Sequence, residues 1–290
     1  MIKAVDCHCH TWNSPDSDSN PEEICRMARE FGLLGIAFTD HCDANRLSEN
    51  DAVAVVQKSV KDAELMQSRY GERLEVLRGV ELGNHAFNPE LVRRVLRACE
   101  FDIVVGSVHA VAYNGIDKNI SKIDFGSFSE QEVREYLALY FKETLRVVES
   151  EDINSIAHIT FGVRYMIRRE PREIDITPYL DTVELALSEM IKRSVALEIN
   201  ANDVVPRMAT VGRTVLRRNG VLGEISIGDI DFEIARRYYE MGGRIITLGS
   251  DGHAPERVGR AFDEIIPKLR DIGFEQAYYF KNRSPVAYKL

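Results

Sequence analysis

Short apolar runs rich in Val, Ile and Leu recur along the chain at 2–7, 35–39, 75–80, 102–107, 153–157, 195–199 and 245–249. Runs this short, apolar rather than alternating, predict strands buried on both faces of a parallel sheet. Between them the apolar positions switch to helical spacing over 21–33, 48–70, about 89–100, 129–150, 177–193, 231–242 and 255–272. The first of these helices opens with Asn20, Pro21, Glu22 and Glu23, an N-cap followed by proline and acids in the first turn. The second has Ser48 at its start and Gly71 at its stop. Strand and helix alternate seven times, which implies βαβ crossovers and a parallel sheet, either closed as a barrel or open. A last extended piece at 277–281 is placed to close or cover that sheet.

The residues at the strand ends decide between barrel and open sheet. Six of the seven histidines sit where an apolar run meets a polar stop: His8 and His10 in IKAVDCHCH, His41 in GIAFTDH, His109 in DIVVGSVH, His158 in INSIAH and His253 in IITLGSDGH. Two further runs end in acids, VLRGVE at Glu81 and VALEIN at Glu198. In a barrel every strand directs its C-terminal end to one mouth, whereas an open sheet gathers only the ends at its switch point. A barrel of about seven strands fits all of these residues at once. One histidine so placed is ordinarily structural; six together argue for shared chemistry, because neutral imidazole ligates first-row metals and carboxylates complete such sites. The longest connections, 110–128 and 201–230, follow strands on the mouth side and are expected to shape a pocket.

Bulk properties narrow the class without changing this picture. The 290 residues suit one α/β barrel, read as a single domain over 1–290. A net charge of −9 argues against non-specific binding to nucleic acid or to an anionic membrane. No apolar stretch approaches the ~20 residues of a membrane span, and MIKAVDCHCH lacks the apolar core of a secretory signal. Five cysteines without a pairing pattern fit a reducing, cytoplasmic setting.

Spacing assigns faces. His8 and His10 stand at i and i+2 of a strand, so both imidazoles reach one point inside the barrel while Cys7 and Cys9 pack outward against helices. Asp251 and His253, separated by Gly252, repeat that logic on the last strand. Glu81 lies between glycines at a strand end, and its carboxylate can bridge two metals. Glu198 and Asn200 alternate onto one face and read as groups that orient ligands or bond substrate. His85 reads as a surface loop residue.

The pieces HxHT with Ser-x-Asp, FTDH, GVE, GSVH, AH, EIN and GSDGH, in this order from Asp6 to about Phe280, resemble the PHP (polymerase and histidinol phosphatase) superfamily. HTWNSPDSDSNPEE and the ending FKNRSP resemble its histidinol-phosphate phosphatase branch. The resemblance implies a distorted (β/α)7 barrel with a trinuclear metal site at the C-terminal mouth of the strands. By position, His8, His10, Glu81 and Asp251 would hold the first metal. Glu81 would bridge to a second completed by His109 and His158, and Asp16, His41 and His253 would hold the third. Ligand type allows zinc, manganese or iron.

The chemistry implied is phosphomonoester hydrolysis, with metal-bound hydroxide attacking phosphorus and Glu81, Asp251 and His253 as the catalytic set. Asp251, His253 or a metal-bound water is left to protonate the leaving group. A small phosphorylated substrate should also meet arginine, with Arg164 and Arg207 the candidates and Arg213 a rival because the connection after Glu198 is long. Other substrates remain open: a nucleotide, an oligonucleotide or a phosphotyrosine. A nuclease calls for a basic track with stacking aromatics, which the charge and the lone Trp12 do not favour, though Trp12 and Tyr113 could flank a small ring. A metal-binding protein without turnover has no feature in its favour. An amidohydrolase would call for a lysine at a strand end, and none is there.

Overall fold

Seven parallel strands stand side by side around one axis in the computed structural model, which describes residues 3–150, 153–205 and 211–290. Along the chain the strands are β1 (Val5–Cys9), β2 (Gly35–Phe38), β3 (His41–Asp43), β4 (Glu75–Gly83), β5 (Ile103–Ser107), β6 (Ser155–Ile156) and β7 (Glu173–Asp175). They continue as β8 (Ala196–Asn200), β9 (Arg213–Arg218), β10 (Val221–Ile225), β11 (Ile246–Gly249), β12 (Gln276–Lys281) and β13 (Ser284–Lys289). The helices are α1 (Pro21–Phe31), α2 (Glu49–Tyr70), α3 (Pro89–Ala98), α4 (Glu130–Glu149), α5 (Phe161–Arg168), α6 (Leu180–Arg193), α7 (Ala201–Val204), α8 (Ile227–Glu240) and α9 (Phe262–Ile272). The barrel order is β1, β2, β4, β5, β6, β8, β11, with β3 pairing the far end of β4. This is the distorted (β/α)7 barrel, with His, Glu and Asp side chains gathered at its strand ends.

The distortion is concentrated at one seam. β1 and β11 meet only at the mouth, through Asp251 N–H to His8 O (2.8 Å) and His10 N–H to Gly252 O (2.9 Å). Below that, the buried Asp6 carboxylate fills the gap, accepting from Ser250 N at 2.9 Å and from Gly259 N at 2.8 Å. The β12–β13 hairpin covers the same seam, and Cys7 Sγ lies 3.7 Å from Tyr278 O beneath it. Cys7 and Cys9 are fully buried in the apolar core, as their outward parity requires.

Local signals explain the helix starts. Asn20 caps α1 by accepting from Glu22 N, Ser48 caps α2 by accepting from Asp51 N, and Ser129 with Glu132 forms a capping box on α4. Gly32, at φ 81°, ends α1 in the left-handed region.

Several expectations shift. β1 runs to Cys9 rather than stopping at residue 7, so the first ligands lie on the strand or one residue past it. β4 extends to Gly83 because β3 supplies a partner for its end. The helix expected over 255–272 is broken: a 3-10 turn at Pro255–Arg257 is followed by left-handed Gly259 (φ 65°) and Ala261 (φ 59°) before α9 begins. α8 begins at Ile227, capped by Ser226, ahead of the expected 231. The 201–230 connection is mostly not pocket wall: β9 and β10 form a hairpin that joins β7 in a separate three-stranded sheet. No helix among the described residues is long and apolar enough to cross a membrane.

Candidate metal centre

Glu81, fully buried at the end of β4, stands at the middle of the mouth. Its two oxygens face different neighbours. Oε2 lies 3.5 Å from His8 Nε2 and 3.8 Å from His10 Nε2, and Asp251 Oδ1 lies 3.2 Å from the same His10 nitrogen. Oε1 lies 3.1 Å from His109 Nε2 and 3.0 Å from His158 Nε2. Beyond them, Asp16 places one oxygen 3.5 Å from His41 Nε2 and the other 3.4 Å from His253 Nε2. Asp16 is the exposed member, at 58% of its side chain, and sits on the cavity side. Among the described residues four overlapping groups are each compact enough for one ion: His8, His10 and Asp251; His8, Glu81 and His158; His41, Glu81 and His109; and His10, His41 and His253.

The donor set fits metal ions on two grounds. First, His8 Nε2, His10 Nε2, His41 Nδ1 and Glu81 Oε2 are buried and face one another or Asp251, with His41 Nδ1 2.6 Å from Glu81 Oε2, but without well-directed hydrogen bonds. Buried polar atoms left without a partner are costly, and a cation between them removes that cost. Second, the opposite ring nitrogens are held by oxygen. His8 Nδ1 is 2.6 Å from Glu198 Oε1, His10 Nδ1 is 3.0 Å from Ser14 Oγ, His109 Nδ1 is 2.9 Å from Asp43 Oδ1, and His253 Nδ1 is 3.0 Å from Asp251 O. An imidazole that donates at Nδ1 presents its lone pair at Nε2, as metal-binding histidines do.

Two glycines make room for these supports. A Cβ on Gly249 would stand 2.2 Å from Glu198 Oε1 and 2.7 Å from His8 Cβ. A Cβ on Gly83 would stand 1.9 Å from Asp43 Oδ1 and 3.0 Å from His109 Nδ1. Burial raises the Glu81 carboxyl, but His109, His41 and His8 together hold it well below the usual carboxylate range. Asp251 is likewise raised by burial and held low by the His10 contact and by the charge of His8 and His253. His158 (φ 27°) and Asp251 (φ 50°) both occupy the left-handed region, a strain of order 1–3 kcal/mol each that clusters at functional sites.

A cavity of about 300 Å³ opens above the cluster, lined by Asp16, His41, His109, His158, Asp251 and His253 and walled by Phe161, Arg164, Tyr165, Arg168, Asn119, Ser121 and Asn202. Of the two arginines expected to meet phosphate, Arg164 is in the wall, buried, with Nη1 2.6 Å from Asp203 Oδ1. Arg207 lies outside the described residues. Arg213 is elsewhere, exposed on the small sheet and paired with Glu173. Glu198 does more than stand behind His8: its other oxygen accepts from His158 N at 2.8 Å and from Asn200 Nδ2 at 3.0 Å. Asn200 in turn accepts from Asn202 N at 2.9 Å, capping α7.

Other expectations fail. His85 is buried, with Nε2 3.1 Å from Leu82 O and Nδ1 3.3 Å from Ser150 Oγ, because α4 folds over its loop. Trp12 is half exposed and donates to Asp62, and Tyr113 is buried and donates to Glu135; neither lines the cavity. The aromatic wall is Phe161 and Tyr165, on the short helix α5 that the pattern did not predict. Ser14, Asp43 and Asp203 were also missed, since their partners are distant in the chain.

The PHP domain family matches residues 6–202. A protein of Clostridium acetobutylicum named "Probable histidinol-phosphatase" is 30% identical over 277 residues, covering 95% of this chain and 96% of its own. The histidinol-phosphatase of Lactococcus lactis is 24% identical over 284 residues, covering 96% and 95%. The crystal structure of a Lactococcus lactis histidinol phosphate phosphatase complexed with zinc, L-histidinol and phosphate aligns with a TM-score of 0.77 at 21% identity, over 99% of this chain and 100% of that one. With a family match over more than half its length and relatives aligned from end to end, this chain is a member of the PHP domain family.

Proposed function

We propose that this chain is a metal-dependent phosphoric monoester hydrolase acting on L-histidinol phosphate. The observation that carries the reading is the mouth of the barrel: nine imidazole and carboxylate side chains converge there, and Arg164 stands in the wall of the cavity above them. The curated relatives bearing the histidinol-phosphatase name, and the zinc in the Lactococcus structure, supply the substrate and the metal to try first.

In this reading His8, His10, Glu81 and Asp251 would hold one divalent cation, Glu81, His109 and His158 would hold a second, and Asp16, His41 and His253 would hold a third. Zinc, manganese and iron all suit this donor set. When bound, such ions activate water at neutral pH and offset the negative charge of phosphoryl oxygens. Glu198 and Asp43 fix the rings of His8 and His109, so the ligands are set before substrate arrives. Arg164, anchored at Nη1 by Asp203, keeps its other donors for phosphoryl oxygen. Arg207 is assigned the second phosphate contact. The proton for the departing oxygen is assigned to Asp251, His253 or solvent, all of which border the cavity. Phe161 and Tyr165 give the organic end of a small substrate an apolar wall.

The test is kcat/KM for phosphate release from L-histidinol phosphate against p-nitrophenyl phosphate, on zinc- or manganese-loaded protein. A value above ~10⁴ M⁻¹s⁻¹ with strong preference for the amino alcohol ester is expected, the range of enzymes on their own substrates. Slow release from both would discard the substrate and keep the hydrolase. No release from either, with metal bound, would discard monoester hydrolysis.

A further inference from the structure

Ser14 and Asp40 are outside the ligand set yet buried beside it. The Asp40 carboxylate, just past β2, receives four donors. Thr11 N (2.7 Å) and Ser14 Oγ (2.9 Å) donate to Oδ1, and Thr11 Oγ1 (2.7 Å) and Ser59 Oγ (2.5 Å) donate to Oδ2. A carboxylate only accepts, so the single hydroxyl proton of Ser14 is committed to Asp40. Ser14 Oγ also accepts the backbone N–H of His41 at 3.1 Å. Its remaining contact, His10 Nδ1 at 3.0 Å, is left with one polarity: the imidazole donates and Ser14 accepts.

We propose that Ser14, oriented by Asp40, is a positioning residue that locks His10 in its Nδ1–H tautomer and so presents the Nε2 lone pair to the ion shared with His8, Glu81 and Asp251. The proposal rests on the metal-dependent reading above. The lock is needed because the site itself favours the wrong tautomer. Asp251 Oδ1 is only 3.2 Å from His10 Nε2, and an unrestrained ring would place its proton there and donate it to the carboxylate, blocking ligation. His8 and His109 are restrained directly by Glu198 and Asp43. His10 faces the loop after β1 instead, where a hydroxyl relays the effect of an acid. Through Ser59 the same carboxylate ties that loop to α2.

The experiment uses the full chain, freed of metal with a chelator and labelled with 15N at histidine. Long-range proton–nitrogen spectra report which ring nitrogen is protonated, with His10 identified by the signals that vanish in His10→Gln. The expected wild-type result is a protonated Nδ1 and a bare Nε2 on His10. In Ser14→Ala the proton is expected on Nε2, with zinc affinity, measured by competition with a chelator, about 10- to 100-fold weaker. Asp40→Asn retains the wild-type tautomer, because the fixed Thr11 N–H selects the amide oxygen for the Ser14 side. A wild-type His10 protonated at Nε2 overturns the proposal, and this needs no variant to fold. A folded Ser14→Ala protein with unchanged tautomer and zinc affinity overturns it as well. A wild-type chain that binds no zinc would overturn the metal reading instead, with the tautomer still deciding whether Ser14 sets the ring.

Discussion

Arg164, in the wall of the cavity that the clustered histidines line, forms a buried ion pair with Asp203, Nη1 to Oδ1 at 2.6 Å. A guanidinium has five donors in a planar fork, so a carboxylate on one arm leaves donors for a second partner. Arg164→Ala is expected to raise KM and to lower kcat/KM by roughly 10²-fold, the 2–3 kcal/mol of a charged hydrogen-bond pair. Steady-state kinetics on L-histidinol phosphate measure it. An unchanged KM would leave Arg164 as a structural partner of Asp203 only.

Behind that pair lies Asp231, buried, accepting from Thr160 Oγ1 at 3.0 Å. Burial, and then the charge of Asp203, push its carboxyl well above the ordinary value. Burial raises the Asp203 carboxyl too, but Arg164 opposes that shift more strongly at Asp203 than at Asp231, so Asp231 is the acid pushed further up. A carboxyl raised in the folded state binds protons more tightly folded than unfolded. Its contribution to stability is therefore complete below the unfolded pKa of about 3.9 and is lost as pH rises through the folded value. Asp231→Asn, which cannot ionise, should gain stability relative to wild type as pH rises from 5 to 8. Urea midpoints at several pH values would show it, and a constant difference across that range would rule it out.

Gly249 has no room for a side chain, because Glu198 Oε1 occupies the space where a Cβ would stand. Gly249→Ala is expected to displace Glu198 from His8 and to weaken zinc binding about 10- to 100-fold, as loss of a ligand's outer partner does. Gly83→Ala should do the same through Asp43 and His109. Zinc competition titrations with far-UV circular dichroism as a folding control provide the check. Full affinity in both variants would remove the supporting role assigned to the two carboxylates.

Chelation should abolish turnover and lower the Tm, since ions that bind only the folded chain stabilise it by mass action. Readdition of zinc or manganese should restore both. Glu81→Gln keeps the shape of the side chain but removes its charge between His8, His10, His109 and His158. Reduced metal stoichiometry and no measurable phosphate release are expected from it. Wild-type rates in that variant would rule out the bridging role.

What the chain's own pattern determined is the frame and the ligands. Strand periodicity is local, so the pairing of His8 with His10 on one face, and of Cys7 with Cys9 on the other, follows from adjacent residues alone. A barrel then carries every strand end to one mouth, so His41, Glu81, His109, His158, Asp251 and His253 could be grouped without knowing a single distance. The supports could not be grouped that way. Asp43 reaches His109 across 66 positions, and Ser14 reaches Asp40 across 26, through loops whose paths depend on how the barrel packs. The same holds for Asp203 against Arg164, and for the β9–β10 hairpin, which leaves the mouth to pair with β7. Nothing in a stretch of turn residues or a short polar loop states its distant partner. Only the closed structure, by burying Glu198 against His8, Asp43 against His109 and Asp203 against Arg164, decided which acid serves which partner.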